Sequence, residues 1–207
     1  MLAVDDRSFI RFGGLAAILL ALTSWAAVFT YATLAQPAPD AQLTELTNYF
    51  LGRQIFQFLY ALIAFWALFA IVAVYYRLRI VGEAWSFFAT LVGVAASAGT
   101  MVSAMYDLAN LRQNPPLAGV SPTNPLGVVS FGLTGLWLLI ANLLLWRTRT
   151  PRLLVLLGFV AAADLLAGFV AGLSENGGVV YLASLIAGAI GGPIYWLWLG
   201  RLLRRDA

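Results

Sequence analysis

This chain has no cysteine, no histidine and no lysine. Without cysteine there is no disulfide, no thiolate nucleophile and no thiolate-held metal. Without histidine there is no histidine-based triad, no histidine-ligated zinc and no axial-histidine haem. Without lysine, neither a retinal nor a pyridoxal Schiff base can form. Charge is scarce as well: 10% of residues are charged, where a soluble domain has about 25%. Motifs of catalysis are missing too. There is no GxSxG, no HExxH, no pair of intramembrane aspartates and no glycine loop ahead of a lysine. No enzyme activity, cofactor or metal is therefore expected. All twelve basic residues are arginine, as a GC-rich bacterial genome would give. They cluster at segment ends, so the net charge of +3 is no sign of nucleic-acid binding.

What the chain has in abundance is apolar sequence, 62% of its 207 residues. Six segments are long enough to cross about 30 Å of hydrocarbon at roughly 20 residues each. They lie at 11–34, 54–76, 84–108, 126–146, 152–173 and 178–200. Lipid offers no hydrogen-bond partner to an open backbone, so each is expected to be helical. The expectation is an all-α integral membrane protein, one six-helix bundle spanning 1–207. Arg7, Arg11, Arg77, Arg79, Arg147, Arg149, Arg152, Arg201, Arg204 and Arg205 would lie on one side, and only Arg53 and Arg112 on the other. The positive-inside rule then puts both termini in the cytoplasm of a bacterial inner membrane. Trp85, Trp146, Trp196 and Trp198 fall near the same boundary, as an aromatic belt would. The first segment resembles a signal peptide, but its apolar stretch exceeds the usual h-region of about 7–15 residues; it is expected to stay as a helix.

Two longer connections face outward in this topology. In "AQPAPDAQLTELTNYFLGR" (35–53), Leu43, Leu46 and Phe50 have helical spacing, which predicts a short helix on the bilayer surface. "NLRQNPPLAGVSPTNP" (110–125) carries four prolines and is expected to be irregular. No internal repeat is visible, in contrast to many secondary transporters. The "RFGGLAAILL" stretch after an N-terminal arginine, the short-looped spans and the "GGPIYWLWLGRLL" exit (191–203) resemble a bacterial family of multi-pass membrane proteins, the domain of unknown function four-three-eight-six type. That resemblance implies a membrane fold and supplies no reaction or ligand.

Four features stand out as candidate sites. In "GFVAAADLLAGFVAG", Asp164 is a carboxylate in the middle of the fifth span, where charge is costly. A helical wheel sets Phe159, Leu166, Phe169, Val170 and Leu173 toward lipid. It sets Ala161, Gly168, Ala171 and Gly172 around Asp164, on the face that neighbours approach. Asp164 lies about 18 Å from the arginine-rich edge at 1.5 Å per residue. Thr23, Ser24, Ser97, Thr134 and Gly188 fall at similar depth. Asp164 is expected to be a neutral acid that hydrogen-bonds in a buried layer with Ser24, Ser97 and Thr134. This layer either ties helices together or binds a ligand or proton.

At the opposite boundary, Arg53, Gln54, Gln57, Tyr106, Asp107, Asn110, Glu175 and Asn176 gather. An ion pair of Arg53 with Asp107 or Glu175 is expected, either as a solvated rim or as the mouth of a pocket. Gly188, Gly191, Gly192 and Pro193 mark a kink in the last span, either a hinge or a fixed bend. The third span, rich in small residues (Gly93, Ser97, Gly99, Thr100, Ser103, Ala104), is expected at the centre of the bundle.

The functional expectation is a non-catalytic accessory or scaffold subunit, with membrane lipid and a partner subunit or second copy as partners. The alternatives are a small-molecule or proton-coupled transporter centred on Asp164, and an enzyme acting on lipid.

Overall fold

A computed structural model of the protein describes residues 4–35, 43–112, 125–174, 182 and 187–206. Apolar runs without internal proline become long helices: α1 (Val4–Leu34), α2 (Leu43–Leu78), α3 (Glu83–Leu111), α4 (Pro125–Trp146) and α5 (Arg152–Leu173). A π-helical turn, Ala187–Gly191, leads into α6 (Gly192–Asp206). Helices α1 to α5 each carry a stretch long and apolar enough to cross a membrane. No strand occurs among the described residues. The sixth expected span, 178–200, lies partly outside the described residues, as do most of 110–125 and Glu175.

The segment 43–53 is helical, as its spacing predicts, but it is no separate surface helix. It forms the first turns of α2, which at 36 residues is about 54 Å long. No proline occurs in 43–78, and Gly52 at the junction of polar loop and apolar span packs against the Leu34 backbone without ending the helix.

Each helix packs chiefly on its neighbours in the series α6, α1, α2, α3, α4, α5. Small residues set these contacts, because between membrane helices close van der Waals approach replaces the hydrophobic drive. The "GG" of α1 serves two neighbours at once. A Cβ on Gly13 would meet Ala73 Cβ of α2 at 2.1 Å, and one on Gly14 would meet the Gly200 carbonyl of α6 at 2.8 Å. Ala16, Ala17 and Ala21 of α1 and Ala64, Ala70 and Ala73 of α2 are all buried.

α3 is not central. It lies between α2 and α4, and Phe87, Phe88, Leu91, Val102 and Met105 leave one side exposed. Its small residues serve those two seams: Gly93, for example, sits against Trp137 and Ile71. The middle is filled instead by aromatic rings from α4 and α6. Trp137 and Trp196 stack with centroids 5.3 Å apart and planes 7° from parallel. Trp196 is thus buried in the core rather than in the aromatic belt, where Trp85 and Trp146 remain exposed.

The arginine-rich helix ends meet at one end of the bundle. Arg79 Nη2 donates to Asp6 Oδ2 at 2.6 Å, joining the end of α2 to the start of α1. Its guanidinium also lies 5.0 Å from the Tyr76 ring. Arg152 lies 4.3 Å from the Trp146 ring across the α4–α5 turn. In that turn Thr148 Oγ1 donates to the Leu145 carbonyl and accepts from the Thr150 backbone N–H. These bonds supply partners to groups that a helix end leaves open.

Candidate functional site

Among the described residues, three groups of polar contacts join one helix to another. The first joins α4, α5 and α6. Asn142 is fully buried. Its Nδ2 donates to the Leu138 carbonyl at 2.8 Å and lies 3.3 Å from the Tyr195 hydroxyl, which in turn lies 3.5 Å from Oδ1. Gly158 of α5 makes room for the amide, since a Cβ there would lie 2.2 Å from Asn142 Nδ2. A buried amide without partners would cost a large part of its hydration, so this arrangement fixes how α4 and α6 face each other. The sequence signal was one carboxamide in "LIANLLLW" and one tyrosine in "PIYWLW". Neither was singled out, because nothing in the sequence pairs them across 53 positions.

The second group lies at the kink. Proline 193 has no N–H to offer the carbonyl four residues back, that of Ala189. Trp25 Nε1 of α1 donates to that oxygen at 3.0 Å. The bend at Gly191, Gly192 and Pro193 therefore has a partner from another helix, and Pro193 itself is buried. Helix α1 holds the same region again further along, where the Gly14 and Gly200 backbones meet.

The third group lies at the end remote from most arginines. Gln54 and Gln57 share one face of α2, as their spacing requires. Gln54 Nε2 reaches the Leu111 carbonyl at 3.4 Å and Gln57 Nε2 reaches Asp107 Oδ2 at 3.5 Å. Both stitch α2 to the last turn of α3. Among the described residues no ion pair joins Arg53 to Asp107. The Arg53 guanidinium lies 5.7 Å from the Tyr31 ring and 5.9 Å from the Tyr49 ring, and its buried Nε has no hydrogen bond among the described residues. Aromatic faces attract a cation, and Arg53 lies between the Tyr31 ring of α1 and the Tyr49 ring one turn back on its own helix α2. Glu175, the other expected partner, lies outside the described residues. Tyr106 is exposed and Asn110 half-buried.

Asp164 is half-buried and its Oδ2 is buried. The small face around it is buried too: Ala161, Gly168, Ala171 and Gly172. Val170 and Leu173 are exposed, whereas Leu166 and Phe169 are half-buried. They pack over Gly135 and Gly132 of α4, where added Cβ atoms would meet them at 2.9 Å and 2.8 Å. The wheel could not foresee that glycines on α4 make sockets for large side chains.

Of the residues expected to share a layer with Asp164, only Thr134, half-buried on α4, belongs to a helix that packs extensively on α5. Ser97 is buried on α3. Ser24 is buried on α1 and donates to its own helix, at the Leu20 carbonyl, 2.9 Å away. Among the described residues no cluster of acidic side chains could hold a metal ion.

No protein-family model, no curated protein and no solved structure matches this chain.

Proposed function

We propose that the chain is a non-catalytic membrane subunit, an accessory or scaffold element with six spans and both termini in the cytoplasm of a bacterial inner membrane. The observation that carries this reading is the filled centre of the bundle. The stacked Trp137 and Trp196 rings and the Asn142–Tyr195 contact occupy the ground between α4 and α6, where a transport path would need space and exposed polar groups. The polar pairs described above link one helix to another. Short turns at the arginine-rich end and a largely apolar exterior also suit a protein that works by packing against partners in the bilayer.

Native mass spectrometry after mild extraction tests the proposal. A stoichiometric protein partner or a defined homo-oligomer is expected. A clean, inert monomer contradicts it. The orientation is tested by reporter fusions at the C-terminus, which should report the cytoplasmic side.

One observation favours a second reading. Asp164 has a buried carboxylate oxygen within the fifth span, and buried acids in membrane helices often serve ion or proton pathways. Under that reading, reconstituted liposomes show a pH-dependent flux that Asp164→Asn abolishes. Under the scaffold reading no flux is seen in either protein.

A further inference from the structure

An open cavity of about 460 Å³ lies at the arginine-rich end of the bundle, lined by Arg11, Phe12 and Leu15 of α1 and Arg204 of α6. Its two charges belong to exposed side chains. Neither has an ion-pair or hydrogen-bond partner among the described residues, although Arg79 and Arg152 at the same end do. The position of Arg204 is built into the helix crossing. Its Cγ lies 2.7 Å from where a Gly14 Cβ would stand, so the missing side chain at Gly14 lets the arginine stem lie across α1. Arg11 and Leu15 are one helical turn apart and share a face. The cavity wall therefore runs from a guanidinium to exposed apolar side chains, Phe12 and Leu15, which begin the apolar part of α1.

We propose that this cavity binds one anionic glycerophospholipid, its phosphate held between Arg11 and Arg204 and an acyl chain lying along Phe12 and Leu15. Guanidinium groups suit phosphate because their planar forks donate two hydrogen bonds at once. A free phosphate would use the two charges but not the apolar wall, and a zwitterionic lipid would use the wall without net attraction. The proposal rests on the membrane placement of the bundle and not on the scaffold reading.

The test uses the purified full chain in mild detergent, titrated separately with phosphatidylglycerol and phosphatidylcholine and read by native mass spectrometry. The wild type should retain one phosphatidylglycerol in preference to phosphatidylcholine. The R11Q/R204Q variant should weaken phosphatidylglycerol binding by roughly fivefold for each arginine removed. The R147Q/R149Q variant, which removes equal charge at the same end but away from the cavity, should bind like the wild type. R11Q alone alters one exposed side chain and should show its own share of the loss, so the test survives if the double variant folds poorly. Equal retention of the two lipids overturns the proposal. So does an equal loss in R147Q/R149Q, which would make the effect one of general surface charge, or displacement of the lipid by inorganic phosphate. Retention of neither lipid by the wild type overturns it as well and leaves the membrane placement, which rests on helix length and hydropathy, untouched.

Discussion

Trp25 and Pro193 show how single residues set this structure. Removing the indole donor while keeping an aromatic ring, as in Trp25→Phe, should destabilise the protein by about 0.6–2 kcal/mol, the range for interhelical hydrogen bonds in membranes. The loss should shrink in a Pro193→Ala background, where a backbone N–H again faces the Ala189 carbonyl. Thermal unfolding of the two single variants and the double variant measures this coupling; equal losses with and without the proline would refute the linkage. Gly158 is a third such residue. Its Cβ position lies 2.2–2.4 Å from three atoms of the Asn142 amide, so Gly158→Ala should cost about 1–3 kcal/mol by overpacking. Thermal melts in detergent check this, and a neutral outcome would mean that α5 can move away from Asn142 freely. The roles of Trp25 and Gly158 were not legible in the sequence, although the kink at Pro193 was. The partner of Trp25 is a backbone carbonyl 164 positions away, and the partner of Gly158 is an amide in a stretch that reads as plain apolar span.

Helices were far more legible than their contacts. The segments expected at 126–146 and 152–173 match α4 and α5 to within a residue. There the apolar run and the polar, arginine-bearing turn "RTRTP" leave little choice. At 43–53 the same reasoning found the helix and missed its continuity with α2, because a polar surface turn and the first turns of a long helix have the same spacing. Helical periodicity also could not tell which tryptophan faces inward. Trp196 and Trp198 both sit near a boundary, and only the presence of Trp137 on α4 decides that Trp196 turns into the core. Contacts between elements depend on glycine pairs that sequence alone does not match. The α1–α6 crossing rests on Gly14 and Gly200, where a Cβ on Gly200 would lie 2.6 Å from the Gly14 carbonyl. Gly200→Leu should force these helices apart and lower the melting temperature well beyond Gly82→Ala, whose nearest neighbour at 3.5 Å is an ordinary contact. Similar losses in both would show that the crossing is not set by close backbone approach.

For the molecule as a whole, the scaffold reading requires a bundle that keeps one arrangement. The kink at Gly191, Gly192 and Pro193 is tied to α1, the amide of Asn142 to α6, and the middle is filled by stacked indoles. A transporter built on Asp164 would instead need at least two arrangements of α5 against the rest. The absence of native cysteine makes the distinction directly measurable. Cysteines placed at Thr33 of α1 and Leu173 of α5, both exposed, can carry spin labels in the protein reconstituted into liposomes. The decisive measurement is the electron-spin distance distribution between them in acidic and in mildly basic buffer. A scaffold bundle gives one narrow distribution, unchanged between the two conditions. Two populations, or a shift with pH that Asp164→Asn removes, would contradict it.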